Sequence, residues 1–124
     1  MARVTAALVA IAFFVVFPSM VLAKQYVVGD DEGWDGNVDL QAWADCKTFK
    51  LGDVLIFKYD AGTHNVAQAF NFDGYDSCVS SPELGVFTSG NDALTFNLVG
   101  TYYFLCDYHC VSFHQKVMIN VEEL

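Results

Sequence analysis

Positive charge is scarce in this chain: six Lys and Arg stand against fifteen Asp and Glu, for a formal net charge of -9 over 124 residues. Such a surface repels nucleic acid and anionic membranes, and if it favours any partner it favours a basic one. Histidine is nearly as rare, with three copies. There is no long helical period, no internal repeat and no low-complexity tract, which excludes helical bundles and repeat arrays. No apolar tail follows Val121, so a C-terminal lipid-anchor signal is not expected.

What the chain does have begins with a targeting segment. Arg3, the apolar run from Ala6 to Phe17, the break at Pro18-Ser19 and the small-residue pattern Val21-Leu22-Ala23 read as a secretory signal, residues 1–23, that is removed. A membrane anchor needs roughly 20 apolar residues without a breaker, and Pro18 interrupts this run. The mature domain is then residues 24–124, a common size for one domain with one modest core. Four cysteines in a secreted chain are ordinarily two disulfides, with three connectivities open.

Along the mature chain the segments are short and punctuated. Gln25 to Val28 reads as a first strand, followed by turn residues Gly29 to Gly33. Trp34, Leu40 and Trp43 fit a short helix or an irregular strand. Val54 to Tyr59 is apolar on both faces, the mark of a central strand. A helical turn is expected before Cys78, within Phe70 to Ser77. Ala93 to Leu98 alternates, which places Leu94, Phe96 and Leu98 on a buried face. Tyr102 to Cys106 also alternates, with Cys106 on the face of Tyr102 and Phe104. The last strand turns Val117, Ile119 and Val121 inward. Short strands with frequent turns argue an all-β sandwich.

The stretch from Cys106 to Lys116 joins the last two strands and holds two of the four cysteines and two of the three histidines. A thiolate, imidazoles and an amide oxygen on such a loop form a ligand set for a soft, redox-active metal. One Cys and two His in a trigonal arrangement with a weak axial ligand suit copper electron transfer. His64, at a strand edge, is the imidazole from elsewhere. A Cys-His hydrolase would need an orienting group and an oxyanion device that are not evident. A zinc site at Cys106, His109 and Cys110 lacks a second ligand pair.

Several segments together carry a resemblance that spans the mature chain. Tyr26-Val27-Val28-Gly29, Gly33-Trp34, Phe49 to Phe57, His64-Asn65-Val66, Tyr75-Asp76-Ser77-Cys78, Gly100 to Cys106, His109-Cys110 and Gln115-Lys116-Val117 resemble the phytocyanins, secreted plant blue copper proteins. The resemblance implies a cupredoxin-like Greek-key β-sandwich with one or two short helical segments. It implies one type 1 copper per chain held by His64, Cys106 and His109, and a Cys78–Cys110 disulfide. Gln115 stands at the axial position, as in stellacyanin-like members, where plantacyanin-like members have Met.

The loop departs from the family pattern. Only Asp107 and Tyr108 separate Cys106 from His109, where the family usually has four residues. One residue too many lies between Cys110 and Gln115, and His114 stands where the family has Gly. His114 is therefore a rival to His109 as an equatorial ligand and to Gln115 as the axial one. Cys46 is left over, either buried and inert or a link between two molecules.

The implied function is a secreted one-electron carrier cycling Cu(II)/Cu(I), without conversion of a substrate and so not an enzyme. Its place is the apoplast or cell wall, or the plasma membrane surface, and the mature chain is expected to be a monomer without a membrane span. The redox partner is expected to be a basic protein or a small phenolic reductant. The alternative is a copper-free extracellular structural or signalling module stapled by disulfides.

Overall fold

The computed structural model describes residues 22–124. Residues 1–21 of the expected signal segment lie outside the described residues.

Two mixed sheets make up the domain. β1 (Gln25–Val27), β3 (Val54–Lys58) and β6 (Asn91–Thr95) form a three-stranded sheet in the order β1-β3-β6. β1 runs parallel to β3, and β6 antiparallel to it. The second sheet has the order β2-β8-β7-β4-β5, built from β2 (Phe49–Lys50), β4 (Val66–Ala69), β5 (Glu83–Phe87), β7 (Gly100–Leu105) and β8 (Lys116–Glu122). Only β2 and β8 pair in parallel here. Three short α-helices, α1 (Leu40–Asp45), α2 (Phe72–Asp76) and α3 (Cys110–Phe113), and a 3-10 turn at Asp30–Glu32 fill the connections, more than the one or two helical segments expected.

The core lies between the sheets because alternate residues of each strand turn inward. β3 contributes Leu55 and Phe57, β7 contributes Phe104, and β8 contributes Val117, Ile119 and Val121, all buried. Phe57 joins the layers: its ring lies 5.1 Å from Phe104 and 5.2 Å from Trp34, centroid to centroid. Tilted and edge contacts at such distances add to the area buried. β3 is the middle strand of its sheet, as its two-sided apolar pattern suggests.

The ambiguous segment at Trp34 to Trp43 resolves into irregular backbone as far as Asp39 and α1 from Leu40. Asp39 caps it by accepting a hydrogen bond from the Ala42 amide at 3.0 Å, and Leu40, Trp43 and Ala44 share its buried face at helical spacing. Leu105 and Tyr103 point to the opposite side of the second sheet. There they form a smaller cluster with Ala67, Ala69, Cys110 and Tyr75. The turn expected before Cys78 is α2, which sits over that cluster and packs against β7 and β4.

Two features differ from the sequence pattern. Leu98 is 74% exposed, not buried with Phe96. β6 ends at Thr95, where Phe96 leaves the ladder to bond with Asp53 and Gly52, and the Leu98 carbonyl accepts the Tyr102 hydroxyl at 2.8 Å. That reversal turns the Leu98 side chain to water. β5 was not evident in the sequence, because Gly85 interrupts its pattern and, as an edge strand, it carries no clear buried face.

Behind the core, the Tyr59 hydroxyl donates to Asp92. Burial first, and then this bond to a carboxylate, push the Tyr59 phenol up to about 12. Its pKa is raised in the folded state, so its contribution to stability is complete below the unfolded value near 10 and disappears as pH climbs to about 12. Denaturation curves across this window should show that loss in the wild type and a smaller one in Tyr59→Phe; identical slopes would remove the coupling. In urea denaturation at neutral pH, Phe104→Ala should cost about 3–5 kcal/mol, whereas Leu98→Ser should stay within about 0.5 kcal/mol of wild type.

Candidate metal centre

The site lies where β4 begins and β7 ends. Upstream of β4, Asp60 organises a turn: its carbonyl accepts the amides of Thr63 and His64, both at 3.0 Å, and its side chain accepts the Gly62 amide at 2.9 Å. An aspartate that bonds the backbone two residues on is a standard turn device. It delivers His64, half-buried, to the end of the sandwich. At the end of β7, Cys106 is fully buried and unpaired. Its amide donates to the Gln115 carbonyl at 2.9 Å, which extends the β7–β8 ladder by one step.

The shortened loop folds back at once. The amides of His109 and Cys110 both donate to the Cys106 carbonyl, at 3.3 and 2.9 Å. This single turn carries the His109 ring over the thiol. His64, Cys106 and His109 therefore converge: the Cys106 Sγ lies 3.7 Å from His109 Nδ1 and 4.0 Å from His64 Nδ1, and the two Nδ1 atoms are 3.1 Å apart. These three ligand atoms form the one potential metal-binding group of this kind among the described residues.

The triangle has the dimensions of a coordination plane. A point in its plane about 2.0 Å from both nitrogens falls about 2.3 Å from the sulfur, close to metal–imidazole and metal–thiolate bond lengths. Gln115 adds a second fitting observation. It is fully buried across the ladder from Cys106, and its Nε2 donates to the Trp34 carbonyl at 3.3 Å. Its Oε1 is the one buried side-chain polar atom without a hydrogen-bond partner among the described residues. Leaving such an atom unpaired costs about 1–3 kcal/mol, a cost that a weak metal contact removes. Thiolate, two imidazoles and a free amide oxygen together fit copper.

His114 does not join the group. It is exposed, with a left-handed backbone, φ 53°. The additional residue after Cys110 is absorbed by α3, and His114 ends that turn in the conformation glycine adopts most easily. This accounts for a glycine in the family pattern at the same place. Cys110 is bonded to Cys78, with S–S 2.01 Å, which ties α3 to the end of α2. Cys46 is exposed and unpaired, so the buried reading of it does not hold.

Residues beside the ligands hold the two ligand segments together. Asn65 follows His64, and Asp107 follows Cys106. The Asn65 side chain donates to Asp107 Oδ2 and accepts the Asp107 amide, each at 2.9 Å. Asp107 Oδ1 accepts from Ser80 at 2.6 Å, and the Trp34 indole donates to the Asn65 carbonyl at 2.8 Å. Asn65 stands in the His64-Asn65-Val66 segment that carries the resemblance, whereas adjacency to a ligand is the only signal in the sequence for Asp107. On the other side of β8, Lys116 Nζ donates to the carbonyls of Tyr75 and Asp76 at 3.1 and 3.2 Å and steadies the end of α2.

A profile of the plastocyanin-like domain family matches residues 34–113. Over 100 residues the chain is 45% identical to a blue copper protein of Petunia hybrida, covering 79% of this chain but only 37% of that one. It is 40% identical over 103 residues to stellacyanin of Toxicodendron vernicifluum, covering 77% of this chain and 94% of the relative. Among solved structures, cucumber stellacyanin superposes with a TM-score of 0.72 at 31% identity, covering 84% of this chain and 99% of that one. Two mixed β-sheets with a His-Cys-His group at one end define a cupredoxin. Within that class, the chain belongs to the phytocyanin family of blue copper proteins.

Two substitutions test the local account. His114→Gly should raise the stability of the metal-free protein by up to about 1 kcal/mol by relieving the left-handed backbone, and should leave metal uptake unchanged. Loss of uptake would make His114 a ligand. Asp107→Ala removes the carboxylate that accepts from the Asn65 amide and from Ser80, so it should cost about 1–3 kcal/mol in urea denaturation; an unchanged midpoint would mean that the clamp contributes nothing.

Proposed function

We propose that this chain is a type 1 copper protein that carries single electrons, in which His64, Cys106 and His109 would hold the copper and Gln115 would supply a weaker fourth contact. The observation that supports this most is the triangle of two imidazole nitrogens and one sulfur, of metal-bond dimensions; Gln115, whose carbonyl accepts the Cys106 amide, adds a buried amide oxygen with no hydrogen-bond partner among the described residues. Copper, when bound, supplies the Cu(II)/Cu(I) couple.

The chain's own residues supply the rest. Cys106, buried and outside any disulfide, is free to serve as a thiolate. His64 and His109 are only half-buried, so their ring edges offer a short path between the centre and the surface. The sandwich and the Asn65–Asp107 clamp hold the ligand segments in one arrangement, which keeps the rearrangement between redox states small. The amide oxygen of Gln115 is harder than a thioether, so it favours the oxidised state and lowers the potential relative to a Met site. No substrate is converted, and the protein acts as a carrier rather than an enzyme.

Residues 1–23 act as a cleaved secretion signal, and the mature domain, residues 24–124, works outside the cell as a monomer. No helix among the described residues is long and apolar enough to cross a membrane. The copper-free module is the weaker reading, because an unpaired buried thiol facing two imidazoles has no purpose in a domain stapled only by disulfides.

Copper loading should produce an intense visible thiolate-to-copper band, and the count of titratable thiols should fall from two, Cys46 and Cys106, to one. Cys106→Ser should abolish the band while the fold survives, since Cys78 and Cys110 remain paired. Gln115→Met should raise the reduction potential. A colourless loaded protein with both thiols still reactive would sink the proposal.

A further inference from the structure

The shortened loop places beside the metal centre a carboxylate that the ligand set does not use. Asp107 directly follows Cys106, and it is bonded to the residue that directly follows His64: its Oδ2 accepts the Asn65 side-chain amide and its own amide donates back to Asn65 Oδ1, each at 2.9 Å. The other carboxylate oxygen, Oδ1, accepts the Ser80 hydroxyl at 2.6 Å. Both oxygens have a fixed donor, so the charge is held in place although the residue is exposed. No cation offsets it: the one salt bridge among the described residues joins Lys50 to Glu122, and Lys116 is engaged with the Tyr75 and Asp76 carbonyls on the other side of β8.

A negative charge fixed beside a metal ligand attracts a divalent ion twice as strongly as a monovalent ion at the same place. It therefore favours the more highly charged state of a redox couple, and the reduction potential falls. The same bias acts on ions without redox chemistry. The charge is also separable from the contacts it makes. An asparagine amide has the shape of the aspartate carboxylate: its oxygen accepts from Asn65 and its NH2 donates to Ser80, because a hydroxyl both donates and accepts. Asp107→Asn thus removes the charge and keeps the hydrogen bonds.

We infer that Asp107 sets the charge preference of the metal centre: held by Asn65 and Ser80, its carboxylate selects divalent over monovalent ions and lowers the reduction potential. The ion preference needs only a metal site, whereas the effect on the potential rests on the electron-carrier reading above.

The test measures Zn(II) and Ag(I) affinities by competition with chelators, in a Cys46→Ser background so that Cys106 is the single free thiol, and the potential of the copper form by redox titration. Asp107→Asn should lower the ratio of Zn(II) to Ag(I) affinity by about 3- to 10-fold. The potential should rise by about 30–60 mV, the same factor at about 59 mV per decade. Asp107→Ser, also uncharged, should do the same. Ser80→Ala, which keeps the carboxylate, should stay close to wild type in both. Glu123→Gln removes a charge beyond the far end of β8, whose seven residues span about 23 Å, and should change neither. Salt at about 1 M, where the screening length is about 3 Å, should shrink the difference between Asp107→Asn and wild type.

Equal losses for Zn(II) and Ag(I) with an unmoved potential would reduce Asp107 to a structural clamp and overturn the inference. A shift of the same sign and size in Ser80→Ala or in Glu123→Gln would overturn it too, because hydrogen bonding or overall charge would then be the cause. A wild type that gives no thiolate-to-copper band counts against the carrier reading alone, and the ratio of Zn(II) to Ag(I) affinity still decides for or against Asp107.

Discussion

The reciprocal pair between Asn65 and Asp107 is the constraint on which this end of the molecule depends. Each residue directly follows a proposed ligand, so two hydrogen bonds between them fix the distance between the His64 and Cys106 segments. Asn65 is buried, and buried polar groups hold their geometry strongly because breaking one of their bonds leaves an unsatisfied atom. Trp34 links the same Asn65 to the core, and its own carbonyl receives the Gln115 amide. A single connected set of hydrogen bonds thus reaches the segments that bear His64, Cys106 and Gln115.

The rest of the fold gives that network something rigid to stand on. Phe57 and Phe104 meet between the sheets, and the strands bearing them continue toward the site. The disulfide from Cys78 to Cys110 secures the far side of the short loop. With both flanks held, the loop between Cys106 and Gln115 tolerates a change in its internal spacing. Two residues fewer before His109 tighten the first turn, and the added residue before Gln115 becomes part of α3. The two alterations lie on either side of Cys110, which the disulfide keeps in place.

Exposure at the site is uneven, and this matters for what reaches it. The thiol is sealed, while both imidazoles are partly open and border a cavity with one carboxylate and one aromatic wall. In the proposed carrier, the ring edges are the route for electrons, and the acidic surroundings select against negatively charged molecules. Tyr108, Val111 and Phe113 add exposed apolar surface on the same loop.

Much of this could be read in the residues alone. Alternation in Tyr102 to Cys106 and in Val117 to Val121 told which side chains face the core, because strand geometry sends successive residues to opposite faces whatever the surroundings. The chemical nature of Cys106, His64, His109 and Gln115 likewise limited the metal to a few kinds. Packing alone decided the remainder. Whether Cys106 met a second sulfur or two imidazoles, whether His114 or His109 turned inward, and how Leu98 came to face water all depended on contacts between segments far apart in the chain. Local pattern has no term for such contacts; the left-handed turn at His114 and the Asn65–Asp107 pair exist only once the strands have been brought together.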